Sequence, residues 1–456
     1  MTDLAPAGTA GIPLHVVAPG DLAEGVEAFG EPAVTWAKAS GFLERRGVCV
    51  VPGEGGAKVT TVIVAADPAD PFALASAVPH LPPADYAWSG APDDAETAVL
   101  AWLLAGYRFT RYLTSKDDAP PVPRLVLPTG INEAHVRRLA AGVFLARDLV
   151  NTPANDMGPQ EMEDAARTLA EQHDAAITVT SGADLERDFP MVHAVGRASP
   201  RAPRLIDLSW GDEAAPKVTL VGKGVAFDTG GLDIKPAAGM RNMKKDMGGA
   251  ANALALAQMI MDAKLPVRLR VLVPAVENAI DGSAFRPGDV LRSRKGLTVE
   301  IGNTDAEGRL ILADALALAD EEAPELLVDL ATLTGAARVA LGPEVMPFYT
   351  ADDAMAEAVA KAGAAVVDPV WRMPLWPGYD GWLASKVADL SHISAQPFAG
   401  SVTAALFLQR FVEKAGTWAH FDIFGWNATA RPGRPEGGEA QGIRALYGYL
   451  EGRYGG

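Results

Sequence analysis

From residue 151 onward, short apolar runs rich in β-branched residues alternate with longer Ala/Leu/Met segments. This alternation constrains the fold more than any other feature. Residues 218–222 (VTLVG), 267–274 (VRLRVLVP) and 326–331 (LLVDLA) read as buried strands, and 248–263 and 307–322 as helices between them. Strand and helix in turn specify an α/β fold with a mixed, largely parallel central sheet flanked by helices. Ligands of such sheets bind beyond the carboxyl ends of the strands. The loops that follow these runs are therefore where chemistry is expected.

A chain of 456 residues exceeds one ordinary core, so a second domain is expected upstream. Residues 59–65 (VTTVIVA) read as a strand and 95–114 as a helix. Prolines 120, 121, 123 and 128 mark 120–128 as a linker. Residues 131–150 read as a helix that stops before Asn151-Thr152-Pro153. The expected plan is a smaller N-terminal α/β domain (1–130), a linker helix (131–150) and a larger C-terminal domain (151–456).

The formal net charge is -17, and residues 1–130 carry 15 acidic and 8 basic side chains, a net of -7. That sign disfavours a nucleic-acid surface. Cys49 is the single cysteine, so no intrachain disulfide and no CxxC site can form. Residues 1–17 have no basic stretch, so no secretory signal is expected. The apolar run 98–107 is far short of the ~20 residues that span a bilayer. A cytoplasmic location is the expectation.

Two segments stand out after the strands. Residues 221–247 read VGKGVAFDTGGLDIKPAAGMRNMKKDM. A phosphate-binding P-loop is excluded because Lys223 is followed by Gly224, and Gly222-Lys-Gly224 does not continue as a dinucleotide fingerprint. What remains is Lys223, Asp228, Lys235 and Asp246 on a glycine-rich loop. Residues 302–310 read GNTDAEGRL. Asp305 and Glu307 would diverge on a helix but converge on a turning segment, so a helix is expected to start near Glu307.

Together these segments offer four carboxylates: Asp228, Asp246, Asp305 and Glu307. Two like charges about 4 Å apart repel by ~4 kcal/mol at an effective dielectric of 20. Two divalent cations would balance the four, and oxygen-rich donors suit Zn, Mn or Mg. Taken singly, each residue has a plainer explanation, since an Asp before a helix is usually a cap and a Lys near an Asp a surface pair. The seven histidines (15, 80, 135, 173, 193, 392 and 420) form no metal-binding spacing and read as structural. Spacing alone stops at a carboxylate site able to hold metal.

Both segments closely resemble the signature regions of the leucyl (cytosol) aminopeptidase family. Residues 222–235 match its GKG-x-x-FD[ST]GG-x-x-[IL]K core, and NTDAEGRL (303–310) matches its most specific string. Pro287 to Val290 (PGDV) and Asp329 to Ala336 (DLATLTGA) match as well. The resemblance covers roughly 145–425, and the N-terminal part resembles the family only in position and size. It implies a catalytic C-terminal domain that removes single residues, favouring apolar ones such as leucine, from peptides with a free N-terminus. It further implies two divalent metal ions and assembly as a homohexamer. Carried across residue by residue, Lys223, Asp228, Asp246 and Glu307 would hold one ion. Asp228, Asp305 and Glu307 would hold the other. Lys235 and Arg309 would be the catalytic side chains, the latter holding bicarbonate as general base. Met243, Thr332, Leu333 and Gly335 would bind the substrate.

The chain departs from the family pattern in places. Thr229 stands where serine is commoner. Asp233 occupies a small, polar position, and its carboxylate is expected to be able to pair with Lys235. The stretch after Gly425 does not match the family's usual ending. Two further readings use the same scaffold: a DNA-binding regulator, which the negative charge disfavours, and a catalytically dead peptide-binding protein, which the complete set of polar site residues disfavours.

Overall fold

The computed structural model describes residues 3–53, 58–90, 94–114 and 122–455. The chain forms two compact units, Met1–Phe144 with Asn427–Glu436, and Leu145–Trp426 with Gly437–Gly456. The 427–436 segment, which the sequence reading leaves in the C-terminal part, thus clusters with the first unit. There the Arg434 guanidinium lies 4.0 Å from the centre of the Phe72 ring.

The first unit is built on a six-stranded sheet. Its strands are β1 (Asp3–Ala5), β2 (Ile12–Val17), β3 (Gly47–Pro52), β4 (Val59–Ala65), β5 (Asp85–Ser89) and β6 (Arg124–Val126), in the order β1-β6-β5-β2-β4-β3. Only β3 and β4 pair antiparallel. Two expectations need correction. The helix foreseen over 95–114 is Ala95–Ala105 and ends at Gly106, short of the polar and aromatic residues that follow. The stretch 120–128 is not all linker, because Arg124–Val126 joins the sheet and Arg124 pairs with Asp85 at 2.7 Å. Pro120 and Pro121 lie outside the described residues.

The second unit carries strands β7 (Ala176–Ser181), β8 (Arg204–Trp210), β9 (Lys217–Gly222), β10 (Gly224–Asp228), β11 (Arg268–Asn278), β12 (Val290–Arg292), β13 (Thr298–Glu300), β14 (Leu326–Ala331), β15 (Met346–Thr350), β16 (Val370–Arg372), β17 (Leu390–Ser391) and β18 (Thr417–Asp422). Its main sheet runs β16-β15-β18-β14-β9-β11-β8-β7, with β10 paired to β11. The centre, β18-β14-β9-β11, is parallel, and so is the edge pair β15-β16, whereas β7-β8, β8-β11 and β15-β18 are antiparallel. Strands, β12, β13 and β17 form a separate small sheet. The mixed, largely parallel sheet expected from the alternation is therefore present.

Every residue of β14 is buried, as a strand covered on both faces requires. Helix Gly248–Asp262 is buried along nearly its whole length, and its glycine and alanine surface lets it lie close on β9 and β14. Helix Gly308–Glu321 packs against β9, β11 and β14. Asp329 inside β14 accepts the Trp418 indole N–H at 2.9 Å and pairs with His420 at 2.5 Å. That histidine is structural, as the sequence reading expected of it. Among the described residues no helix is long and apolar enough to cross a membrane.

Candidate metal centre and cleft

The polar residues singled out in the sequence gather beyond the carboxyl ends of β9, β10 and β14. Lys223 sits between β9 and β10, and Asp228 closes β10. Lys223 Nζ lies 2.7 Å from Asp246 Oδ2 and 3.0 Å from Glu307 Oε1, and it donates to the Thr332 carbonyl at 2.9 Å. A side chain at Gly308 would collide with the Lys223 stem, so the amine reaches Glu307 only because the helix opens on glycine.

Asp228 accepts from Gly230 N and Asn278 Nδ2, each at 2.8 Å, leaving Oδ2 2.9 Å from Lys235 Nζ. Lys235 also pairs with Asp305. Gly230 adopts φ of 88°, a left-handed turn that returns the chain so that Lys235 N bonds Thr229 O. Asp305 lies in a single 3-10 turn, Thr304–Ala306, whose preceding Asn303 side chain accepts from Asp305 N at 2.8 Å. Glu307 is the cap residue of helix Gly308–Glu321, close to the start expected from sequence.

One carboxylate oxygen from each of Asp228, Asp305 and Glu307 lies within 4.8 Å of the others. Both Glu307 oxygens are buried without a hydrogen bond, the Lys223 contact being an ion pair that lacks hydrogen-bond alignment. Burial, and then the Asp228 charge, pushes the Glu307 carboxyl well above its usual range. Burial and Asp246 raise Asp228 in the same sense. Burial works against the Lys223 ammonium, but Asp246, Glu307 and Asp228 outweigh it and hold its pKa above the usual value. Lys235 is raised likewise by Asp228 and Asp305 against its own burial. A cluster that strains to discharge its acids has the electrostatics of a cation site.

A cleft of about 260 Å³ opens on this cluster. Lys223, Asp228, Lys235, Asp246 and Asp305 line it, and so do the four residues expected to meet substrate: Met243, Thr332, Leu333 and Gly335. Arg309 is not among the lining residues. It is buried, donates to the His392 carbonyl at 2.7 Å and leaves Nε without a partner. Burial lowers its pKa to about 10.

The pairing that Asp233 could make with Lys235 is not seen among the described residues. Asp233 Oδ2 instead accepts from Thr304 N at 2.7 Å and Thr304 Oγ1 at 3.1 Å, tying the first loop to the second. Sequence reasoning also missed Asp422, which accepts from Leu333 N, Thr334 N and Thr334 Oγ1 and so holds the loop after β14. It missed Lys245, Arg338, Ile423 and Phe424 in the cleft wall. Only Lys245, beside Asp246, had a local signal.

Comparison with known proteins decides what this geometry belongs to. The profile of the cytosol aminopeptidase family, catalytic domain, matches residues 144–447, and that of the M17 aminopeptidase N-terminal domain matches 12–128. The chain belongs to the cytosol aminopeptidase family. It is a metal-dependent aminopeptidase, a hydrolase. The likeness extends beyond 145–425 on both sides, so the N-terminal part and the atypical ending are family features too. The probable cytosol aminopeptidase of Syntrophotalea carbinolica is 43% identical over 372 residues, covering 78% of this chain and 74% of that protein. That of Xanthobacter autotrophicus is 42% identical over 369 residues, covering 78% and 74%. The crystal structure of the Coxiella burnetii cytosol aminopeptidase superposes with a TM-score of 0.92 at 46% identity, over 99% of both chains. The bottromycin maturation enzyme BotP, solved in complex with Mn, gives 0.86 at 33% identity over 98% of this aminopeptidase and 100% of BotP.

Proposed function

We propose that this aminopeptidase cleaves the bond after a free N-terminal residue with two divalent ions held by Lys223, Asp228, Asp246, Asp305 and Glu307. One observation carries the reading. Asp228, Asp305 and Glu307 bring carboxylate oxygens within 4.8 Å of one another, while both oxygens of buried Glu307 lack a hydrogen bond. Buried acceptors are rarely left so, and hard oxygen donors in this number fit divalent cations. Zn, Mn and Mg all suit the donors, and the Mn bound by BotP favours Mn. Lys223 can join only as a neutral amine. The carboxylates that now hold its proton would spend their charge on the cations, and its pKa would fall.

Bound there, the ions would supply Lewis acidity toward the scissile carbonyl and a lower pKa for the attacking water. By family resemblance Asp228 and Glu307 would each serve both ions, and the Asp305 backbone carbonyl would add a donor. Lys235 holds an ammonium at the cleft wall, placed to stabilise negative charge growing on the substrate carbonyl oxygen. Family resemblance gives Arg309 the role of holding a small anion such as bicarbonate, and its Nε has no hydrogen-bond partner among the described residues. Such an anion fits the general-base role, since among the described residues no histidine lines the cleft. Met243 and Leu333 offer an apolar wall that suits residues such as leucine, and Thr332 and Gly335 face the substrate backbone. Family resemblance supports a cytoplasmic homohexamer.

The test uses leucine p-nitroanilide with Mn or Zn, then a chelator, then the N-acetylated substrate. Cleavage should disappear on chelation, return with metal, and be absent with the blocked amine. Activity that survives thorough chelation, or equal cleavage of the acetylated substrate, would refute the proposal.

A further inference from the structure

Four cationic side chains line the cleft, and they fall into two kinds. Lys223 and Lys235 are each paired with two carboxylates. Lys245 and Arg338 have, among the described residues, neither an ion pair nor a side-chain hydrogen bond. Both instead flank one ring. Lys245 Nζ is 5.0 Å and the Arg338 guanidinium carbon 4.8 Å from the centre of Phe424. A ring face holds cations in place without neutralising them.

Lys245 is 7% exposed, and a buried charge is ordinarily paired or hydrogen-bonded within the chain. Its neighbour Lys244 shows the ordinary solution, donating to the Asn151 carbonyl at 2.7 Å. Among the described residues Lys245 has no such contact, the Asp246 charge acting on it without forming an ion pair, and it lines the same cleft as Met243 and Leu333. The chain's net charge of -17 repels anions at long range. Recognition of an anion must therefore be local, and these two side chains are where it can occur.

Resting on the aminopeptidase reading above, we infer that Lys245 and Arg338 bind the side-chain carboxylate of an acidic N-terminal residue. Glutamate combines an apolar stem, suited to Met243 and Leu333, with a terminal charge that meets the unpaired cations. Acidic residues are thus substrates alongside apolar ones, and Lys245 sets the discrimination between a carboxylate and its amide.

The experiment compares p-nitroanilides of glutamate, glutamine and leucine on the metal-loaded enzyme, with calorimetric binding of L-glutamate and L-glutamine alongside. Glutamate should exceed glutamine about tenfold or more in kcat/KM and in affinity. Lys245→Met should lower the glutamate-to-leucine ratio of kcat/KM about tenfold. Arg338→Ala, at an exposed position less exposed to folding defects, should lower it about threefold. Metal content and the unfolding midpoint of each variant confirm that the centre is intact. Leucine cleavage with no preference for glutamate over glutamine, or a ratio unmoved in both variants, overturns this inference and leaves the aminopeptidase reading standing. Cleavage of none of the three anilides overturns both. A further arm compares Leu-Gly with Leu-Gly-amide. Selective loss of Leu-Gly cleavage in Lys245→Met would assign the cation to the peptide's terminal carboxylate and overturn the side-chain assignment.

Discussion

Lys223 Nζ lies 2.7 Å from Asp246 Oδ2, and both side chains are almost wholly buried. This ion pair joins the end of β9 to the turn before helix Gly248–Asp262, and Glu307 reaches the same amine from a third element. The amine serves as a counter-charge for acids that would otherwise repel one another in a low-dielectric site.

That repulsion makes bound metal a stabiliser of the fold. Mn or Zn should raise the unfolding midpoint, and a chelator should lower it. A site saturated at 100 times its Kd adds about 2.7 kcal/mol. Scanning calorimetry at several metal concentrations checks this. A midpoint that ignores metal would show that the acids form no cation site.

Glu307→Gln keeps the side chain's size and removes one charge from the centre of the cluster. Bound metal should fall below two ions per chain, and kcat should drop by about 100-fold or more, beyond what loss of an outer partner causes. Elemental analysis with steady-state kinetics measures both. Near-normal kcat at full metal occupancy would remove Glu307 from the proposed ligands.

Lys235 bridges Asp228 and Asp305 and presents its ammonium to the cleft. Lys235→Ala should lower kcat about 10²–10³-fold with little change in KM, as for a group that acts on charge formed in the transition state. A raised KM with unchanged kcat would instead mark a residue that only binds substrate.

Away from the cleft, Asp314 accepts from Met191 N at 2.8 Å and Arg294 N at 2.7 Å, capping helix Pro190–Gly196 from outside. Burial pushes its pKa up to about 7, above the unfolded carboxylate value, although those N–H groups pull the other way. The folded state then binds the extra proton between about pH 4 and 7, so this group's contribution is largest at acid pH and is lost as pH rises to 7. The stability of the native protein minus that of Asp314→Asn should therefore decline by a few kcal/mol across that window. Urea unfolding at pH 4.5, 6 and 7.5 measures it. A difference that grows with pH would contradict the shift.

Some of the site was legible because it is local. Glu307 stands directly before a helix that follows a turn, so period and punctuation placed it within a residue or two, whereas Asp228, read as part of a glycine-rich loop, closes strand β10, which pairs with a distant part of the chain. Other relationships depend on distant parts of the chain meeting. Asp233 and Lys235 are two apart, yet the left-handed turn at Gly230 directs Asp233 to Thr304, 71 positions onward, and Lys235 to Asp228 and Asp305. Arg309 follows Glu307 by two positions but donates to a carbonyl of His392. No local pattern predicts a partner 83 positions away.

The sequence by itself determined which elements form and which chemistry the chain carries, because apolar period, glycine placement and the two signature strings are properties of neighbouring residues. The tertiary structure alone decided which charges are matched. It set β14 beside β9 and paired both β9 and β10 with β11, so that acids far apart in the chain share one low-dielectric cleft. The same packing left Lys245 and Arg338 lining that cleft, each within about 5 Å of the Phe424 ring centre.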